Sequence, residues 1–397
     1  MPYDYLRRTT LLVGSTLTVM SGAIIAPALP EISRAYADLP NAELLSKLIL
    51  TLPALFIALL APVAGYFVDW SGRKMVLLYS LLLYAFAGTS GAYLSNIYLV
   101  LVGRAFLGMA VGALMTSIVT LIGDYFEGRQ RSKFMGFQAA FASTGGLVFI
   151  VTGGVLADMH WRFPFLIYAA SLIVLVMAAI SVYEPERVKP ADRLRFLDRT
   201  LIRAVSKQVW WVYIIAFFSF AVFYMVPVQL PFMLSALEDI SNTQVGIAIA
   251  AMNITAIPMA FSYSRVKQRL DFPYIMALVY LLVGGGYTVI SMSNSYEAMV
   301  IGILICGTGF GLQMANINLW LVQLAPAVIR GTLVGYLNTF IFLGMFLSPV
   351  FLQPLVVIAG LYTSFMIVSL LLAVCALALL ISGLKGFWKQ REESSGI

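Results

Sequence analysis

Charged side chains are scarce in this chain: Asp, Glu, Lys and Arg together make up 11% of its 397 residues, against 61% apolar residues. A soluble globular domain carries about 25% charged residues. The composition therefore excludes a water-soluble enzyme or binding module and identifies an integral membrane protein. Cysteine is almost missing as well. Cys306 and Cys375 both lie inside apolar runs, where a thiol packs as a small hydrophobe, so neither a disulfide framework nor a cysteine-built metal centre is expected. His160 is the only histidine and adjoins Asp158 and Trp161 between two apolar runs; no metal or catalytic role is assigned to it. There is no ATP-binding loop, metal-ligand cluster, nucleophile motif or sizeable polar domain. These absences argue against an enzyme or sensor and predict a protein that works without a cofactor.

What the chain has in abundance is long apolar runs. Runs bounded by charge, Gly or Pro predict twelve membrane-spanning helices, near 10–31, 44–67, 75–94, 98–122, 134–156, 163–183, 210–234, 244–263, 273–293, 298–322, 331–351 and 355–383. Most reach the roughly 20 residues needed to cross the hydrocarbon core. The first run ends in Pro27-Ala-Leu-Pro30-Glu31 without an Ala-x-Ala cleavage pattern, so it is expected to be a retained span of a chain that starts at Met1. An even count places both termini on one side. Of the 25 basic residues, 21 fall in the tails and alternate loops of that side, while the opposite loops hold Arg34, Lys47 and Arg162 and one span holds Arg104. The positive-inside rule then predicts cytoplasmic termini in a plasma membrane. Topology accounts for the net charge of +7, and a nucleic-acid partner is not implied.

The longest polar segment, residues 184–209, divides the chain into a six-helix half at 1–183 and another at 210–397. It reads either as a solvated linker or as a short interfacial helix. The halves also resemble each other. Arg131, Gly136, Phe141 and Gly145 recur at a constant offset of 199 as Arg330, Gly335, Phe340 and Gly344. Pro27-Ala-Leu-Pro30 has a counterpart in Pro227-Val-Gln-Leu-Pro231. A duplicated six-helix unit would put a substrate site between the halves near the bilayer midplane.

Between the second and third runs stands Gly65-Tyr-Phe-Val-Asp69-Trp-Ser-Gly72-Arg73-Lys74, expected to form a short charged loop at a membrane face. This segment resembles the loop motif of the major facilitator superfamily, and with twelve spans the resemblance extends over essentially the whole chain. Arg104-Ala-Phe-Leu-Gly108 resembles a helix-four motif of proton-coupled exporters, and Trp161-Arg162-Phe-Pro-Phe165 and Arg330-Gly331 stand where drug and sugar efflux relatives carry them. The resemblance implies an all-α fold of two pseudo-symmetric six-helix bundles and transport by alternating access. It also implies a conformational switch of Gly65, Asp69, Gly72, Arg73, Lys74 and Asp124. In that switch Asp69 lies against the start of helix eleven, where the dipole favours a carboxylate, and Arg73 pairs with Asp124 to latch the outward-facing state. The chain departs from the pattern at three places. Trp70 replaces a base, Ala23 stands where many drug exporters have an acid, and Phe149-Ile150 replaces the Gly-Pro of antiporters.

Arg104 is the charge read as lying well within a span, and an ionisable group at that depth is a functional candidate by default; packing against helix one is the competing reading. Glu31 is the nearest candidate proton carrier, or else an ordinary acid at a helix end. The other candidate substrate-binding residues are Gln138, Tyr224, Gln229, Asn253, Gln313, Asn316 and Asn338, on helices that line the cavity in the family. Interhelical hydrogen bonding is the alternative for each amide. Gln313, Asn316 and Trp320 share one helix face, as do Phe217, Phe220 and Tyr224. Together these features predict a monomeric secondary transporter that exports a small amphipathic, drug-like or sugar-like molecule in exchange for protons, with a uniporter or importer of the same fold as the alternative.

Overall fold

The computed structural model describes residues 2–185, 207–326 and 329–395, and the side chains of residues 2, 3, 61–70, 207 and 382–395 lie outside that description. Among the described residues twelve helices are long and apolar enough to cross a membrane. Helix is what hydrocarbon demands, because it satisfies each backbone N–H and C=O within the segment itself. Span 1 comprises Pro2–Ala23, a 3-10 turn Ala26–Ala28 and a short helix Leu29–Ala35. Spans 2 to 5 are Ala42–Ser71, Arg73–Tyr93, Ile97–Tyr125 and Gly128–Met159. Span 6 joins a 3-10 stretch, Phe163–Ala170, to the helix Ser171–Ser181. Spans 7 to 12 are Lys207–Leu234, Asn242–Lys267, Phe272–Met292, Tyr296–Leu324, Arg330–Ala359 and Leu361–Ser395. Odd spans start, and even spans end, on the face that carries the termini, here the terminal face; the opposite side is the far face.

Two expected boundaries move. The loop expected at Gly65 to Lys74 shrinks to the turn at Gly72, because span 2 stays helical to Ser71 and span 3 begins at Arg73. Gly72 has φ 100°, a conformation that glycine adopts without a Cβ penalty. Span 11 likewise continues through Pro349 and Pro354 to Ala359, and Gly360 with φ 82° makes the turn into span 12. The prolines of spans 1 and 7 also behave differently from each other. Pro27 and Pro30 occupy the first turns of new helical segments, where no helical donor is lost, so span 1 breaks and restarts. Pro227 and Pro231 lie inside one continuous helix, which removes the usual donors to the carbonyls of Phe223 and Pro227.

The packing repeats with the sequence. In the first half span 4 packs on spans 2 and 3, span 1 on span 5, and span 3 on span 6. The second half does the same with span 10 on 8 and 9, span 7 on 11, and span 9 on 12. One hydrogen bond is duplicated too: Tyr84 of span 3 donates to the Leu17 carbonyl of span 1 at 2.7 Å, and Tyr287 of span 9 to the Val222 carbonyl of span 7 at 2.6 Å. Spans 2 and 11, and spans 5 and 8, hold the halves together.

Lipid supplies no hydrophobic drive between helices, so close packing of small residues takes its place. Gly307 and Gly311 of span 10 press directly on the carbonyls of Met252 and Ala256 of span 8, leaving no room for a Cβ. Gly285, in contrast, faces open space. Gly307→Leu should therefore lower stability by about 1–3 kcal/mol through overpacking, whereas Gly285→Leu should be neutral or better. Thermal unfolding in detergent would check this, and equal effects at the two sites would refute the close-contact reading.

Candidate functional site

On the far face the seam between the halves is polar. Lys47 of span 2 is fully buried. Its ammonium pairs with Glu43 one turn away, donates to Gln353 Oε1 of span 11 at 2.7 Å, and stands 4.7 Å over the Phe232 ring of span 7. A buried charge needs such compensation. Sequence reading placed Lys47 with the bases of the outer loops; the structure makes it, like Arg104, a fully buried cation. The start of span 8 is met from spans 1 and 5: Asn242 donates through Nδ2 to Glu31 Oε1 of span 1 at 2.7 Å, and Asp158 of span 5 accepts from its first residues. At the rim Tyr36 stands edge-on to Trp161 at 5.9 Å, and burial raises its phenol above the ordinary value against the opposing pull of Arg162. A polar cavity of about 470 Å³ opens at this rim beside Glu31, Arg34, Asp158, Asp239 and Asn242.

Gly154 of span 5 abuts Asn242 and Gly246 of span 8 abuts Ile150, but nothing stands within 4 Å of a Cβ built on Gly136, and Phe137, Phe141 and Phe261 are exposed. Near the middle Thr339 of span 11 approaches the Ala58 carbonyl of span 2 at 3.5 Å. The charged turn is tied within the first half. Arg73 Nε is 3.1 Å from Asp124 Oδ2, and Lys74 Nζ donates to the Ala179 carbonyl at 3.0 Å. The Glu184 carboxylate accepts the Arg73 and Lys74 N–H groups, each at 2.8 Å, and so caps span 3. Gly72 leaves the room for it, since a Cβ there would stand 2.8 Å from Glu184 Oε1. Span 2 carries Gly65 and Asp69 through this region as helix, and the environment of their side chains lies outside the description.

Arg104 is fully buried inside the first half. Its guanidinium donates to the Gly88 carbonyl of span 3 and lies 5.0 and 4.9 Å over the rings of Phe165 and Tyr168 of span 6, while Nε and Nη1 have no partner. Tyr168 in turn donates to the Ser21 carbonyl at 2.9 Å, just before the break in span 1. The other candidate residues divide into two groups. Asn316 is bound inside the second half, donating to the Phe272 carbonyl at 3.1 Å and accepting from Tyr263 at 3.3 Å; Trp320 stacks on Phe272 at 5.7 Å. Buried Gln313 shares that helix face. Tyr224 lies against span 1, where a Cβ on Gly22 would stand 2.8 Å from its hydroxyl. Phe217 meets Phe351 of span 11, and Phe223 rather than Phe220 meets Phe310 of span 10. Gln138, Asn253 and Asn338 are half-buried, and Asn253 donates to Ala250 at 3.3 Å. Sequence reasoning missed Lys47, Gln353, Asp158, Asn242 and Glu184, whose importance depends on which helix end meets which.

Gln229 stands apart. It is fully buried between the two prolines of span 7, and both ends of its amide lack a partner. An unsatisfied buried polar group costs about 1–3 kcal/mol. Gln229→Leu should therefore raise the unfolding temperature in detergent while slowing transport, if the amide finds its partner in substrate or in another conformer. A lower unfolding temperature would show that the amide is already satisfied.

Comparison with known proteins agrees with this architecture. The family description "Major Facilitator Superfamily" matches residues 11–349 and 236–394. The bacillibactin exporter of Bacillus subtilis is 22% identical over 348 residues, covering 83% of this chain and 85% of that one. Multidrug resistance protein 1 of the same organism is 28% identical over 130 residues, about a third of each chain (32% and 33%). Among solved structures, a bacterial homologue of the human lysosomal transporter Spinster, in an inward-facing and occupied conformation, superimposes with a TM-score of 0.76 at 16% identity over 96% of this chain and 97% of that one. With twelve apolar spans, two pseudo-symmetric bundles and a family match along nearly its whole length, this chain belongs to the Major Facilitator Superfamily and is a multi-pass membrane transporter.

Proposed function

We propose that this transporter lies in the plasma membrane with both termini in the cytoplasm and exports a small amphipathic, drug-like or sugar-like molecule in exchange for protons. The observation that carries this reading is the seam. The halves are joined across the far face by hydrogen bonds that water can replace when they part, namely Lys47 to Gln353, Asn242 to Glu31, and Asp158 to span 8. With cytoplasmic termini, a molecule joined across its far face reads as the inward-facing stage of an alternating-access cycle. Residues 1–183 and 210–397 are the two bodies that rock, 184–209 is their linker, and one chain is the working unit. The likeness to an exporter over most of both chains supports the outward direction.

In this reading the substrate lies between the halves, against Tyr224, Gln138, Asn253 and Asn338, and reaches Gln229 when the halves rock. Gln313 and Asn316 shape the second half behind it. Arg104 acts through Tyr168 on the break of span 1. Glu31, held by Asn242 across the seam, is the proton carrier, and Gly65, Asp69, Gly72, Arg73, Lys74 and Asp124 form the cytoplasmic switch. Proteoliposomes with an imposed pH gradient and a panel of amphipathic drugs and sugars test the proposal. Efflux should follow the gradient, and Glu31→Gln should remove at least nine-tenths of that dependence while leaving downhill exchange. Transport that ignores the gradient would instead favour a uniporter, a reading supported by Ala23 and Phe149-Ile150.

The switch has its own test. Asp69→Asn should cut net transport several-fold and leave a cysteine placed at the far-face seam less reactive from outside, because the outward-facing state loses a carboxylate at the start of span 11. Unchanged reactivity would remove Asp69 from the switch.

A further inference from the structure

Asp158 ends span 5 on the far face, and its carboxylate is bound to the other half of the molecule. Oδ1 accepts the Asn242 N–H at 2.6 Å, and Oδ2 accepts the Thr243 N–H at 3.1 Å together with the Thr243 hydroxyl. The next donors of span 8 are served from within. Ser241 Oγ takes the Gln244 N–H at 3.2 Å, Gln244 Oε1 returns to the Ser241 N–H at 2.8 Å, and the Ser241 carbonyl takes the Val245 N–H at 3.1 Å. The two first-turn donors that this capping box leaves over are the two that Asp158 takes. Its charge also meets the positive end of the helix dipole. One turn earlier Gly154 abuts the Asn242 carbonyl so closely that a Cβ would overlap it. A glycine for approach and an aspartate for capture therefore stand on one helix face, four residues apart.

The same arrangement of residues ends span 2. Gly65-Tyr-Phe-Val-Asp69 and Gly154-Val-Leu-Ala-Asp158 each place Gly and Asp four apart in the last turns of a helix. Span 2 ends on the terminal face and packs on span 11, which starts there at Arg330; span 5 ends on the far face and packs on span 8, which starts there at Asn242. We propose that Gly154-x3-Asp158 is the far-face latch of the transport cycle, the inverted counterpart of Gly65-x3-Asp69. Asp158 is a positioning residue: it holds the start of span 8 while the far face is shut and must release it before that face opens. This inference rests on the alternating-access reading above. Two latches at opposite ends of one rocking seam cannot close together, so the balance between them sets how long each face stays open.

Spin-label distances test the latch without any substrate. Labels at Ala37 and Ala236, both exposed on the far face, report its opening, and labels at Gln130 and Gln268 report the terminal face. The background carries Cys306→Ala and Cys375→Ala. In Asp158→Ala the far-face pair should gain a longer distance, with the open-to-closed ratio raised at least ten-fold and the terminal pair shortened in parallel. Asp158→Glu, which keeps the carboxylate, should recover most of the closed population. Thr243→Val removes one donor from the partner side, the hydroxyl that Asp158 Oδ2 accepts, and leaves the Asn242 side chain on Glu31 in place. It should open the far face in the same direction, and it carries the test if Asp158→Ala fails to accumulate. Unchanged far-face distances in the accumulating variants, or Asp158→Glu opening the face as widely as Asp158→Ala, would overturn the latch. Failure of proton-driven export leaves these distances untouched. A single distance in every variant, Asp69→Asn included, would overturn alternating access itself.

Discussion

Inside a bilayer a backbone N–H or C=O that loses its helical partner has no water to turn to, and at several helix breaks and starts this chain brings in a side chain from elsewhere in the fold. Span 1 breaks after Ala23, and Tyr168 of span 6 covers the Ser21 carbonyl just ahead of the break. Span 3 begins abruptly after Gly72, and Glu184 takes its first two N–H groups. Span 8 begins at the seam, and Asp158 does the same from the other half. In span 11 Ser348 reaches the Ala221 carbonyl of span 7 at 2.7 Å. The architecture is thus joined at helix ends and kinks as much as along helix faces.

This pattern bears on why the two halves can move as bodies. Within each half the ties are buried, numerous and of matching design, as in the paired bonds of Tyr84 and Tyr287 to spans 1 and 7. Among the described residues the ties between the halves are fewer, and several are charge-assisted bonds at the rim. A hydrogen bond to a charged group contributes roughly 1.5–3 kcal/mol, and reversing a two-state balance from 1:99 to 99:1 takes about 5.5 kcal/mol. At an exposed rim solvent screens each bond below that range, so several acting together hold one face shut, and their replacement by water lowers the cost of opening it.

Arg104 and Lys47 are both fully buried cations, but they belong to different parts of this scheme. Lys47 bridges the halves through Gln353 and Phe232. Arg104 is enclosed by spans 3 and 6 of its own half, where aromatic faces and a backbone carbonyl compensate its charge. Depth in the membrane alone does not distinguish a residue at a moving interface from one that stiffens a rocking body; the identity of its neighbours does.

The sequence by itself determined the number of spans, the division into two halves and the position of the charged turn, because hydrocarbon enforces helix over any long apolar run and each of these features is local. It also carried the internal repeat, since Arg131 and Arg330 with their following glycines keep a constant offset. The amide stripe of Gln313 and Asn316 was legible as one helix face, but not which way that face points; the structure turns it towards spans 8 and 9. The far-face seam was not legible at all. Asp158 next to the only histidine looked like a loop acid, and Lys47 like a loop base. Only tertiary structure decided their roles, because each depends on a helix end contributed by residues more than 80 positions away, and a span's own pattern of apolar residues is nearly the same whichever neighbour it packs against.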